Sequence, residues 1–150
     1  MVKFWSKFIA VFLAVVVADQ LIKQIFLNGF RWEGEFFSLI LTYNTGVAFS
    51  MFSFLGEHLK AVQIALLGLL FVYLLYDKKL LKAHWVAFAL LLGGGVSNVI
   101  DRFFHPGVVD YVFWHKWFEF AVFNFADVMI NLAVAIIFLQ ILFDYIKEKR

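Results

Sequence analysis

Four apolar runs, each near twenty residues, constrain this chain more than any other feature. They cover residues 8–27, 59–76, 85–104 and 127–145. A helix that crosses the hydrocarbon core of a bilayer needs about 20 mostly apolar residues. The whole composition points the same way. Of 150 residues, 64% are hydrophobic and 16% charged, whereas a soluble domain carries roughly 45–50% apolar and about 25% charged residues. The expected architecture is an all-α membrane protein. It is a four-transmembrane-helix bundle, one domain over residues 1–150, with a small extracytoplasmic β-cradle or hairpin after the first helix.

Charge placement sets the topology. Four spans put both ends of the chain and the tight loop 77–84 on one side. That side carries Lys3, Lys7, Lys78, Lys79, Lys82, Lys147, Lys149 and Arg150. The two long loops, 28–58 and 105–126, carry Arg31 and Lys116, with Lys23, Lys60 and Arg102 near helix ends. The positive-inside rule therefore places the termini in the cytoplasm. Trp5, Tyr76, Trp85 and Tyr145 fall at the inner boundary, and Trp32, Trp114 and Trp117 at the outer one, as aromatic belts do. Lys3, Lys7 and the run after them also have the outline of a signal peptide, with Val16-Val17-Ala18 as a cleavage site. The run continues past that site to Leu27, so we expect it to remain a span. The chain has no cysteine, which excludes disulfide and thiolate chemistry. A net charge of +2 gives no reason to expect nucleic acid.

The polar residues that interrupt this apolar chain carry its chemistry. Ionisable groups inside membrane spans are costly and usually mark function or pairing. Asp19 and Lys23 lie four apart on one face of the first span, within reach of each other, and read as a structural ion pair. Residues 35–43 are rich in strand formers, Asn44-Thr45-Gly46 is a turn signature, and 47–54 is apolar again. A small sheet on the outer surface follows, with Phe36, Phe37, Phe49, Phe52 and Phe54 at the lipid boundary. The second span holds Lys60 and Gln63 at its outer end and reads as scaffold. The third contains Gly93-Gly94-Gly95, which lets a helix or a ligand approach closely. Ser97, Asn98, Asp101 and Arg102 follow. Asp101 reads equally as part of an interhelical polar cluster or as a site residue, and Asn98 and Arg102 are suited to contacting substrate or a lipid head group. No histidine has metal-ligand spacing with another, and there is no HExxH, so no metal or other cofactor is expected.

Asp110 and Asp127 stand at either end of the outer segment before the last span, with Asn124 between them. One aspartate at a helix N-terminus reads as a cap favoured by the macrodipole. Two carboxyls brought together do more. They cannot both ionise cheaply, so the pair supplies one base and one acid at a single pH.

Five segments, in order, then carry a family resemblance: Asp19-Gln20-Leu21-Ile22-Lys23; Asn44-Thr45-Gly46-Val47-Ala48-Phe49-Ser50; Gly94-Gly95-Val96-Ser97-Asn98-Val99-Ile100-Asp101-Arg102; Val108-Val109-Asp110-Tyr111; and Phe123-Asn124-Phe125-Ala126-Asp127. Together they resemble the motif regions of the lipoprotein signal peptidases (signal peptidase II). Ser97 stands where the family often has glycine, and Phe125 where it has a smaller aliphatic residue. The resemblance implies a metal-free aspartic endopeptidase of the bacterial inner membrane, with its active site on the periplasmic face. Such an enzyme removes the signal peptide from diacylglyceryl-modified prolipoproteins, just before the lipidated cysteine. It also implies Asp110 and Asp127 as the catalytic pair, and Asn44, Gly46, Asn98, Arg102 and Asn124 around the substrate. Asp19, Lys23 and Asp101 take supporting roles. Membrane lipid and the cyclic peptide antibiotic globomycin are the implied partners, and the site fits within a monomer. Two other classes stand beside this reading: a small transporter using Asp19, Lys23, Asp101 and Arg102 as a relay, and a non-enzymatic assembly factor. The charges cluster toward the outer face and do not cross the bilayer, which weighs against the relay.

Overall fold

The computed structural model describes residues 2–46, 53–56 and 58–149. The elements are α1 (Val2–Leu27), β1 (Trp32–Glu33), β2 (Phe37–Asn44), α2 (His58–Tyr76), α3 (Lys78–Ala83), α4 (Trp85–Phe104), β3 (Val108–Trp114) and α5 (Phe125–Glu148). A short 3-10 turn, Ser53–Leu55, precedes α2. The helices α1, α2, α4 and α5 are long and apolar enough to cross a membrane.

One of these helices is the hub. In the most apolar window of α4, 61% of the residues are buried, against 22% or less in the other three. The outer faces of those three are apolar, as lipid-facing surfaces are. Three consecutive glycines explain how α4 takes three neighbours at once. Successive helical residues point about 100° apart. A Cβ on Gly93 would meet Phe12 and Val15 of α1, one on Gly94 would lie 2.7 Å from the Ala126 carbonyl of α5, and one on Gly95 would meet Leu67 of α2. The glycines are used for helix packing, each facing a neighbouring helix. An apolar groove of about 570 Å³ opens elsewhere between α1, α2 and α4, lined by Phe8, Phe12, Leu67, Phe71, Val96 and Val99 among others.

Two details differ from the expectation. The segment 77–84 is not a bare loop. Asp77 caps α3 by accepting from the backbone N–H groups of Lys79 and Leu80, and the helix-forming sequence KKLLKA continues the turn. The sheet is also wider than a local hairpin. Its order is β1-β2-β3, all antiparallel. Strand β2 pairs with β1 on one edge and, on the other, with β3 from the second long loop. Residues 47–52, including Phe49 and Phe52 and the second half of the Asn44–Ser50 motif, lie outside the described residues. Phe54 lies in the 3-10 turn and is exposed.

The register between β2 and β3 slips between Leu39 and Thr42, opposite Val112 and Asp110. A bulge of this kind bends a strand and re-aims its side chains. Here it sits beside Asp110, which pairs with Thr42.

Candidate active site

The polar residues singled out in the sequence converge at the end of the bundle where the sheet lies. The first cluster centres on Lys23, which is fully buried. Its ammonium contacts Asp19 Oδ2 at 2.6 Å and Asp101 Oδ2 at 2.7 Å, and donates to Asn98 Oδ1 at 2.9 Å. An ammonium has three protons to donate, and three acceptors meet them. Both aspartates are satisfied from other directions as well. Ser97 Oγ donates to Asp19 Oδ2 at 2.7 Å. Gln20 donates to Asp101 Oδ1 at 2.8 Å, and the Val109 N–H donates to Asp101 Oδ2 at 2.9 Å. The i,i+4 pair expected within α1 is therefore one side of a sealed network joining α1, α4 and the start of β3.

The second cluster is built on the N-terminus of α5, where the first backbone N–H groups of the helix lack intrahelical partners. Side chains from three elements supply them. Tyr111 Oη of β3 accepts from the Phe125 N–H at 2.9 Å. Asp19 Oδ1 of α1 accepts from the Ala126 N–H at 2.8 Å. The cap residue itself, Asn124, accepts through Oδ1 from the Asp127 N–H at 2.8 Å. Asp127 Oδ2 accepts in return from the Asn124 N–H, completing a capping box. Tyr111 is held in turn by a parallel stack on Phe26, with ring centroids 4.2 Å apart.

Asn124 is fully buried and joins the two aspartates. Its amide donates to Asp110 Oδ1 at 2.7 Å, while its own cap holds Asp127. Asn98 extends the link. Its Nδ2 donates to Asp127 Oδ1 at 2.8 Å, and its Oδ1 accepts from Lys23 and Asn124. Asp110 is also hydrogen-bonded by the Asn44 side chain. Asp110 and Asp127 line one cavity of about 50 Å³ with Asn44, Gly46, Gln63, Asn98, Arg102 and Val108. That space is ample for a water molecule. Burial, followed by the charge of Asp127, pushes the Asp110 carboxyl up from 3.8, ordinary for aspartate, to about 7. The bonds from Asn44 and Asn124 and the charge of Lys23 oppose that rise without cancelling it.

Arg102 closes the opposite rim. Its two terminal nitrogens donate to the carbonyls of Asn44 and Gly46. The turn they hold is an Asx turn, in which the Gly46 N–H donates to Asn44 Oδ1 at 3.0 Å. Gly107 makes the close approach possible, because a Cβ there would lie 2.5 Å from the Asn44 carbonyl.

All ten residues named from the sequence thus belong to these two linked clusters or to their rim. Tyr111 and Gln63 escaped that reading: Tyr111 was noticed only as the neighbour of Asp110, and Gln63 as scaffold. Among the described residues, no three of His, Cys, Asp and Glu are grouped to hold a metal ion.

Comparison with known proteins gives a consistent result. The model of the family described as signal peptidase (SPase) II matches residues 11–143. A lipoprotein signal peptidase of Campylobacter jejuni is 54% identical over 145 residues, covering 97% of this chain and 90% of that protein. One from Wolinella succinogenes is 51% identical over 135 residues, covering 90% and 92%. Among solved structures, a bacterial membrane enzyme is similar with a TM-score of 0.80 at 26% identity, covering 93% of this chain and 90% of that one.

Proposed function

The chain belongs to the signal peptidase II family, and from that premise we propose that it is an aspartic endopeptidase in which Asp110 and Asp127 share one water. The observation that carries this reading is the Asn124 bridge. One buried amide bonds Asp110, and its cap holds Asp127, at the wall of a single cavity.

Two carboxyl groups on the wall of one cavity titrate as a pair. Burial and its neighbour push Asp110 up to about 7, and we assign it the role of acid. Asp127 accepts from Asn98 and from the Asn124 N–H, and we assign it the role of base. In the reaction the water gives a proton to Asp127 and its oxygen attacks the scissile carbonyl carbon. Asp110 then delivers its proton to the departing nitrogen as the C–N bond breaks. The pair ends with one proton, as it began, now on Asp127, and transfer back to Asp110 resets the site.

The substrate is a prolipoprotein bearing diacylglycerol on cysteine, cut just before that cysteine. The lysine-rich side of the bundle supports cytoplasmic termini in the inner membrane, with the site on the outer face. The apolar groove between α1, α2 and α4 supports accommodation of an acyl chain, since each buried CH₂ stabilises by about 0.8 kcal/mol. Every residue of the site comes from one chain, which supports a monomer. Globomycin is expected to compete for the same cavity.

The test is cleavage of a diacylglyceryl-modified prolipoprotein in detergent. Asp110→Asn and Asp127→Asn should each lower turnover by about 10³-fold or more while unfolding as cooperatively as wild type. Near-normal turnover by Asp110→Asn would remove the dyad from the mechanism.

A further inference from the structure

Two buried polar atoms at the aspartate cavity have no hydrogen-bond partner among the described residues: Gln63 Oε1 on α2 and Arg102 Nε on α4. Both residues line the cavity together with Asp110 and Asp127. Buried polar groups are almost always satisfied, and exceptions call for an explanation. Neither has an obvious structural one. Each terminal nitrogen of Arg102 donates to a carbonyl, of Asn44 or Gly46, while Nε donates to none of the described residues. Gln63 stands in an otherwise apolar stretch of α2, and the nine residues after it, 64–72, are all apolar.

The two atoms are chemically complementary, one acceptor and one donor, and they come from different helices. A trans peptide group carries an N–H and a C=O that point in opposite directions. Such a group can therefore satisfy both walls at once. We propose that Gln63 and Arg102 receive the substrate main chain beside the scissile bond, with Gln63 Oε1 accepting a peptide N–H and Arg102 Nε donating to a peptide carbonyl. This rests on the peptidase reading above and adds Gln63 to it as a substrate-binding residue. Recognition of main chain suits a site that must accept varied side chains. It fixes where the peptide lies relative to the aspartates whatever residues flank the cut.

The test uses a synthetic peptide carrying diacylglycerol on cysteine, and depsipeptide versions in which each of the four amides flanking the cut, the scissile amide excepted, is replaced one at a time by an ester. The ester removes one N–H and weakens one carbonyl acceptor. On wild type, one ester should raise KM about tenfold. Gln63→Leu and Gln63→Met should raise KM for the all-amide peptide by a similar factor, with kcat within about twofold of wild type. On those variants the same ester should have no further effect, as expected of two changes that remove one interaction. Thermal unfolding of both variants checks that the bundle is intact. Unchanged KM, a loss confined to kcat, or an ester effect that adds in full on the variants overturns the proposal. Failure of wild type to cut the all-amide peptide, or full turnover by Asp110→Asn, would instead count against the peptidase reading, so the two failures are distinguishable.

Discussion

Two carboxylate clusters lie side by side in this bundle, joined through Asn98, and they differ in what donates to them. Asp19 and Asp101 share the ammonium of Lys23, and each oxygen has a donor. Asp110 and Asp127 have only neutral donors among the described residues: the amides of Asn44, Asn98 and Asn124 and one backbone N–H. The residue type is the same, and Asp110 is as buried as Asp19 and Asp101, while Asp127 is partly exposed. What differs is the counter-charge. Lys23 meets the charge of Asp19 and Asp101 in direct contact. Asp110 has no cation in contact, and burial pushes its carboxyl up to about 7. A membrane interior magnifies the difference, because solvent is not there to supply the missing partner.

Several measurements can break or sharpen this contrast. The largest expected effect is on the uncompensated side, where Asp127→Asn should cost about 10³-fold or more in turnover, beside about 1 kcal/mol of stability from the lost capping-box acceptor. The compensated side should behave the other way. Lys23→Met leaves Asp19 and Asp101 buried without a cation, and breaking such a pair costs about 3–5 kcal/mol. Denaturation in detergent should show that loss, and an unaffected melting temperature would mean the network is not sealed as described. Asn124→Ala touches both clusters. It removes the cap of α5, for which about 1–2 kcal/mol is expected, and should lower turnover in the molecules that remain folded.

The pH dependence of stability gives the smallest and most specific test. The carboxyl of Asp110 is raised in the fold, from 3.8 to about 7. A raised value means that its contribution to stability is fully present below about pH 4 and is lost as pH rises through about 7. Wild type should therefore lose stability relative to Asp110→Asn between about pH 4 and pH 7 and level off above that, as read by thermal unfolding. The opposite slope would mean that Asp110 is paired in its ionised form, and the two clusters would no longer differ in kind.

The sequence made the spans legible because twenty apolar residues in a row have few other uses. It also pointed to the polar residues that the fold gathers into two clusters, because polar and charged groups are rare in such a chain and stand out. What it did not reveal depends on long-range geometry. Strand β3 pairs with β2 across some seventy residues of chain and an entire helical hairpin, and no local pattern in Val108–Trp114 names that partner. Asp101 read two ways because its ties to Gln20, Lys23 and the Val109 N–H come from elements that only the fold brings together. Tyr111 was hidden for a similar reason: its hydroxyl serves the backbone of α5, and nothing in the order of residues marks a tyrosine that caps a distant helix.

The bond between Asp19 and Lys23 spans a single turn of one helix, and this has a consequence for biosynthesis. The first span leaves the ribosome well before α4 and α5 exist. Two opposite charges that meet within that span neutralise each other with no help from later segments, which lowers the barrier to entering lipid alone. When the last helix arrives, its exposed Ala126 N–H finds an acceptor already in place on the first. The earliest segment made is in this way a template that waits for the final one.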